Sequence, residues 1–173
     1  MRHSVGRMTE TPVYRAFFYL LRSGLWGRTE DSETLFPLSE NEWEEVYRIA
    51  CKHTVEGIVY DGVLMLPVDK RPVRSLFVKW TVAVERIERA NKKVNQVLRE
   101  LQNFFRQHAL RVVLLKGQGV AAFYRDPSHR VCGDIDFYFP NRKDLEKANR
   151  LIEEKGIKLV RKTKGESYYS WNE

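Results

Sequence analysis

Apolar residues recur at spacings of three and four through most of the first 108 positions, then give way to short runs punctuated by Gly, Pro and Asp. That switch separates amphipathic helices from strands. Thr11 before Pro12 has the form of an N-cap with proline in the first turn. The apolar positions that follow to Leu21, ahead of Ser23 and Gly24, predict a short first helix. Residues 27–38 are polar and turn-rich. Ser39 and Glu42 then have capping-box spacing before Trp43, Val46, Tyr47, Ile49 and Ala50, which predicts a second helix to Lys52. Val55–Leu66, interrupted by Gly57 and Gly62 and closed by Pro67, reads as a third. After Pro72, the positions Phe77, Trp80, Val84, Ile87, Asn91, Val94, Leu98, Leu101 and Phe105 form one stripe, and predict a long helix over residues 72–107. Its opposite side carries Arg86, Glu88, Arg89, Lys92, Lys93, Arg99 and Glu100. The stripe either packs on the preceding helices or pairs with a second copy as a coiled coil, which would make the protein a homo-oligomer. Asn91 would mark the register in both cases.

From His108 onward the period changes. Arg111–Leu115 has the β-branched and leucine content of a buried strand, and Lys116-Gly117-Gln118-Gly119 turns into a short helix over Val120–Tyr124 that Asp126-Pro127 breaks. Asp134–Phe139 reads as the next strand, Asn141 or Asp144 opens a helix to Lys155, Gly156 ends it, and Ile157–Arg161 is a further strand. The expected fold class is therefore α+β. A flexible N-terminus (1–10) precedes a helical region (11–108), and a small mixed-sheet α/β core follows (109–173).

Charge and cysteine usage narrow the partners only slightly. The 173 residues carry a formal net charge of +7, which favours phosphate-bearing partners without choosing between nucleotide and nucleic acid. Residues 110–173 hold 13 basic and 9 acidic side chains against 17 and 14 in the rest, so there is no separate basic tail. The densest run, Lys158, Arg161, Lys162 and Lys164, fits the solvated face of a strand and turn. Cys51 and Cys132 are far apart and form neither a zinc-ligand spacing nor a disulfide framework. The longest apolar N-terminal run, Ala16–Leu21, is too short for a signal core or a membrane span. These features point to a cytoplasmic protein without a membrane partner.

Asp134 and Asp136 carry the candidate chemistry. Residues two apart on a strand project from one face with Cα atoms about 6–7 Å apart. Two carboxylates so placed repel unless a cation lies between them, and a pair of Mg²⁺ ions satisfies that condition. Ile135, Phe137 and Phe139 would face the core. Ahead of this strand, a turn with Lys116 and Gly117 at a helix start can present backbone N–H groups and a positive charge to a phosphate. The same turn would equally serve as an ordinary βα connection.

The segments Leu114-Leu115-Lys116-Gly117, Tyr124-x-Asp126-Pro127-x-x-Arg130 and Gly133-Asp134-Ile135-Asp136 together resemble the uncharacterised bacterial nucleotidyltransferase-like proteins of the polymerase-beta superfamily. Trp43, Ala50, His53 and Val55 extend the likeness more weakly into the helices. The resemblance implies a nucleotidyltransferase core in which Asp134 and Asp136 are catalytic metal ligands for Mg²⁺ in a two-ion site. Lys116, Gly117, Gln118 and Arg130 would bind the NTP phosphates. A nucleotidyl group would then pass to a hydroxyl on a small molecule, a protein or RNA. Arg130 would serve equally as an ion-pair partner of Asp126 or Asp134, and His129 reads as a surface loop residue. Two features depart from the family pattern: Gln118 follows Gly117 where serine or glycine is usual, and the interval to Asp134 is long. The third carboxylate of such enzymes belongs on a later strand, where this chain offers only Glu166 and Glu173. The expectation is that the strand carrying it lies past Glu173 and that the chain is inactive as given. Two other readings stand beside the enzyme: a catalytically degenerate nucleotide-binding or interaction module, and a basic nucleic-acid-binding helical protein.

Overall fold

Thr11 begins the first helix as its spacing requires. Its hydroxyl accepts the Tyr14 N–H at 3.5 Å, and Pro12 occupies the first turn of α1 (Pro12–Trp26). In this computed structural model, residues 11–27, 34–163 and 165–170 are described. The N-terminal segment 1–10, Lys164 and Glu173 lie outside the described residues.

α1 is longer than its sequence suggests, because Ser23 and Gly24 continue it and are buried, and Gly27 ends it at φ 66° with its N–H on the Ser23 carbonyl at 2.7 Å. Gly24 is a packing residue, not a stop. A Cβ there would run into the carbonyl of Ile58 on α3 (Glu56–Leu64), and a Cβ at Gly62 would run into the carbonyl of Leu20. The two glycines let α1 and α3 touch backbone to backbone. Between them in sequence, α2 (Glu40–Lys52) opens on the expected capping box, with Ser39 N–H donating to the Glu42 carboxylate at 2.8 Å. A 3₁₀ turn (Val68–Lys70) leads into α4 (Arg74–Gln107).

The chain forms two compact units: residues 1–92 with 120–132, and residues 93–119 with 133–173. In the first, Leu20, Trp43, Val46, Val59, Val63, Trp80 and Val84 are buried in one cluster, and Trp80 donates its indole N–H to the Glu56 carbonyl at 2.9 Å. This is the work of the first half of the long stripe. The second half of that stripe, Leu101 and Phe105, forms a separate core with Leu110, Ala148 and Ile152.

Around that second core the class is α+β. β1 (Val113–Leu114) pairs antiparallel with β2 (Phe137–Tyr138), with α5 (Gln118–Ala121) a single turn between them in sequence. α6 (Arg142–Glu154) follows, capped by the Asn141 side chain on the Asp144 N–H at 2.8 Å. β3 (Lys158–Lys162) then pairs antiparallel with β4 (Ser167–Ser170). The described strands thus form two antiparallel pairs where a mixed sheet was expected. β1 is only two residues long, so of the Asp134–Phe139 segment just Phe137 and Tyr138 are laddered. Nor is β1 buried on both faces: Val113 and Leu115 are about half exposed, while Val112 packs on the core.

Gly62→Ala should lower stability, even though alanine is the better helix former by about 1 kcal/mol. A methyl group pressed into the Leu20 carbonyl forces the helices apart at a cost of about 1–3 kcal/mol. A denaturant midpoint that rises in this variant would contradict the close α1–α3 crossing.

Candidate functional site

The second unit brings the glycine turn and the acidic pair together. β1 ends at Leu114, and the Leu115 N–H donates to the Asp136 carbonyl at 3.0 Å, which aligns Lys116 with the acidic segment. The Lys116 ammonium then lies 3.5 Å from Asp136 Oδ2. Gly117 is buried at φ 66°, and a Cβ on it would stand 2.9 Å from the Asp134 carbonyl oxygen. Both the left-handed backbone and the close approach require glycine there. Gln118 starts α5, and the Gly119 N–H closes the turn on the Lys116 carbonyl at 3.4 Å.

Ile135, Phe137 and Phe139 pack against the core of the second unit. In the intervening positions Asp134 and Tyr138 are exposed, and the Asp136 side chain is 33% exposed. The alternation directs the two carboxylates away from the core and onto the side of the glycine turn. With the Lys116 side chain 68% exposed, its pairing with Asp136 is a solvated one, worth at most about 1 kcal/mol. Its role is to offset charge between two neighbouring acids.

A hard divalent cation fits this donor set. Mg²⁺ is held by one or two carboxylates and completes its shell with substrate phosphates and water. Among the described residues no group of three His, Cys, Asp or Glu side chains is placed to hold a metal. Glu166 sits in the β3–β4 turn, where its carboxylate accepts the Tyr168 hydroxyl at 2.7 Å.

The model of an uncharacterised nucleotidyltransferase family matches residues 39–173. The chain belongs to that family. No curated protein and no solved structure matches it.

Other polar residues of this family member are committed to its first unit. Arg130 is one of them. Its guanidinium donates to Cys132 Sγ at 2.7 Å and to the Val131 carbonyl at 3.4 Å. His129, which read as a surface loop residue, is instead 7% exposed. Its Nδ1 lies 2.7 Å from Asp61 Oδ1 and its Nε2 lies 2.9 Å from Glu88 Oε1, with Asp126 Oδ2 at 3.7 Å. The hydrogen bond to Asp61 is the main cause that raises its pKa to about 9, with Glu88 adding to it and burial opposing. Both nitrogens therefore act as donors at neutral pH. Burial works against ionisation of Asp126, yet hydrogen bonds from the Ser128 hydroxyl and N–H hold its carboxyl below the usual range. Asn91 completes the fastening: its side-chain amide donates to the carbonyls of Ser128 and Arg130 at 2.6 and 2.7 Å. A polar residue inside an otherwise apolar stripe was the sequence signal for this contact, although its partners 37 and 39 positions away were not legible.

The imidazolium of His129 gives a signed pH dependence. Its folded-state pKa of about 9 lies above the model value of 6.5. The stabilisation is therefore complete below about pH 6.5 and is lost as pH rises through about 9. His129→Gln should lower unfolding free energy by about 2–3 kcal/mol at pH 6, and by much less at pH 10. Urea denaturation of both proteins at the two pH values measures this, and a pH-independent difference would show that the imidazole is neutral in the fold.

Proposed function

We propose that the edge formed by Lys116, Gly117, Gln118, Asp134 and Asp136 binds an NTP with Mg²⁺ and directs its α-phosphate to a hydroxyl acceptor. This is the nucleotidyl transfer of a polymerase-beta-type core. The observation that carries the reading is the packing of the left-handed Gly117 turn against the Asp134 backbone beside the Lys116–Asp136 pair. Membership of a nucleotidyltransferase family supports it.

Asp134 and Asp136 hold the cation through their outward carboxylates. Mg²⁺ bound there supplies charge to the reacting phosphate and to the oxygens that attack and leave. Once a cation sits between the acids, Asp136 no longer requires an ammonium beside it, and Lys116 turns to the phosphates. The amides of the turn at Gly117 and Gln118 seat the phosphate chain. In the reaction a hydroxyl oxygen bonds to the α-phosphorus, the bond to the β-phosphate oxygen breaks, pyrophosphate leaves, and the hydroxyl proton passes to water. Arg130 enters this reading as a second charge for the phosphates, in competition with its bond to Cys132. The acceptor is a small molecule, a protein or RNA, and the setting is the cytoplasm.

A nucleotide-binding module without turnover is the second reading. It is favoured by the lack of a third acid beside Asp134 and Asp136 among the described residues. Pyrophosphate release separates the two, because binding alone yields none.

The test is calorimetric titration of the protein with each of the four NTPs, with and without Mg²⁺. Asp134→Asn with Asp136→Asn should weaken Mg²⁺-dependent binding about 100-fold, as loss of both metal ligands costs several kcal/mol. The fold should persist, since both side chains face solvent and their exposed pairing contributes about 1 kcal/mol or less. Unchanged affinity in the double variant would remove the acidic pair from the function.

A further inference from the structure

The outward side of α1 carries a second kind of chemistry, in residues 12–26 that precede the matched family segment of 39–173. Arg15, Phe18, Arg22 and Trp26 are spaced by three, four and four, which puts them on one stripe of the helix within about 80°. All four are exposed, Phe18 by 42% and Trp26 by 64%. The opposite side of the same helix, Ala16, Phe17, Tyr19 and Leu20, is sealed in the core of the first unit. The stripe therefore alternates cation, ring, cation, ring on a rigid support. Neither arginine pairs with a carboxylate among the described residues, and Arg15, Phe18, Arg22 and Leu35 line a hollow of about 410 Å³.

We infer that this stripe is a docking site for single-stranded nucleic acid, with bases stacked on Phe18 and Trp26 and phosphates held by Arg15 and Arg22. Charge complementarity identifies the occupant. Two unpaired guanidiniums with no acid in the hollow select a polyanion, and exposed rings between them select one that carries flat faces. Along α1 the arginines stand about 10 Å apart and the rings about 12 Å apart, at 1.5 Å rise per residue, so a strand can bridge successive cations with a base over each ring. An anionic membrane is the competing polyanion. A bilayer takes up a wide, convex apolar face. Here the apolar face of α1 is buried inward, and what remains outside is a narrow stripe beside a hollow. The site does not depend on the metal-binding edge: it lies in the other unit and on residues that no nucleotide phosphate is proposed to touch.

The experiment is fluorescence anisotropy of labelled 12-nucleotide oligouridine and oligothymidine, titrated with the full chain at several salt concentrations. Binding with a negative salt slope is expected for one or both oligonucleotides. Arg15→Gln with Arg22→Gln should weaken it and reduce the slope by about 1.4, since each phosphate contact on a single strand contributes about 0.7. Trp26→Ala should lower affinity about tenfold at constant salt slope, the effect of losing one stacked base. Phe18→Ala should act similarly, but Phe18 meets Phe17 edge-on at 5.2 Å, so its melting temperature must be compared with the parent. The arginine variant, fully exposed, keeps the test independent of folding. No binding of either oligonucleotide overturns the inference. So does a salt slope unchanged in the arginine variant, or an affinity unchanged without Trp26. Binding to vesicles of phosphatidylcholine and phosphatidylserine through the same residues, in preference to oligonucleotide, would assign the stripe to a membrane surface and overturn it as well. The Asp134→Asn, Asp136→Asn protein should bind oligonucleotide as the parent does. That keeps failure here distinguishable from failure of the metal-binding reading.

Discussion

The placement of the acidic pair rests on aromatic packing against Phe105. That ring is 2% exposed, and Phe137 and Phe139 meet it edge-on at 5.2 and 5.5 Å with interplanar angles of 86° and 85°. Edge-to-face contacts of this kind contribute about 0.5–1.5 kcal/mol each beyond the burial of the rings. Side chains alternate along an extended segment, so directing residues 137 and 139 inward commits 134 and 136 outward. A slip of one residue would bury two carboxylates and expose two phenylalanines, a change that neither solvation nor packing tolerates. The ladder of β1 and β2, only two residues on each side, is too short to set this register by itself.

Polar residues in this protein divide into two groups by what they do with their hydrogen bonds. From Asp126 to Arg130, side chains and carbonyls are spent inside the first unit. His129 bridges Asp61 and Glu88, Asp126 caps Ser128, Asn91 takes two loop carbonyls, and Gly57 lies so close to the His129 carbonyl that a side chain there would clash. A group with every donor and acceptor engaged holds structure. Lys116, Asp134 and Asp136 are different: they face solvent, and their one printed pairing is a long, exposed one. An exposed cluster of like charges gains nothing for the fold, and this distinguishes a surface kept for a ligand from one kept for stability.

How much of this was legible in the sequence follows from the range over which each signal acts. The Ser39–Glu42 capping box, the Asn141 cap, the Thr11–Pro12 start and the stripe of α4 depend on neighbours within one or two turns, and the spacing alone expresses them. Gly117 and the acidic pair were legible for the same reason, since a glycine turn and an Asp-x-Asp are local patterns. Gly24 and Gly62 were not. A glycine that ends a helix and one that admits another backbone look alike until the second helix is in place, and here the second use won. His129 is hidden by the same rule, because its partner Asp61 lies 68 positions earlier. The reach of β1 was overestimated because a β-branched run fits an extended conformation whether or not a long partner strand exists.

Electrostatics explains why a lysine accompanies the pair. One Mg²⁺ bound by two carboxylates is a neutral assembly, so by itself it draws a triphosphate no more strongly from a distance than plain solvent does. Attraction over distance has to come from cations outside the metal's own ligand set. Lys116 is placed for that: it is close enough to Asp136 to hold the acids in place before a cation arrives, and its flexible, 68% exposed side chain is free to follow the charge when one does. An arginine at this position would grip the carboxylate with a planar fork and release it less readily. The compact ammonium at 3.5 Å, loosely paired and mostly in water, suits a group that must change partners during binding.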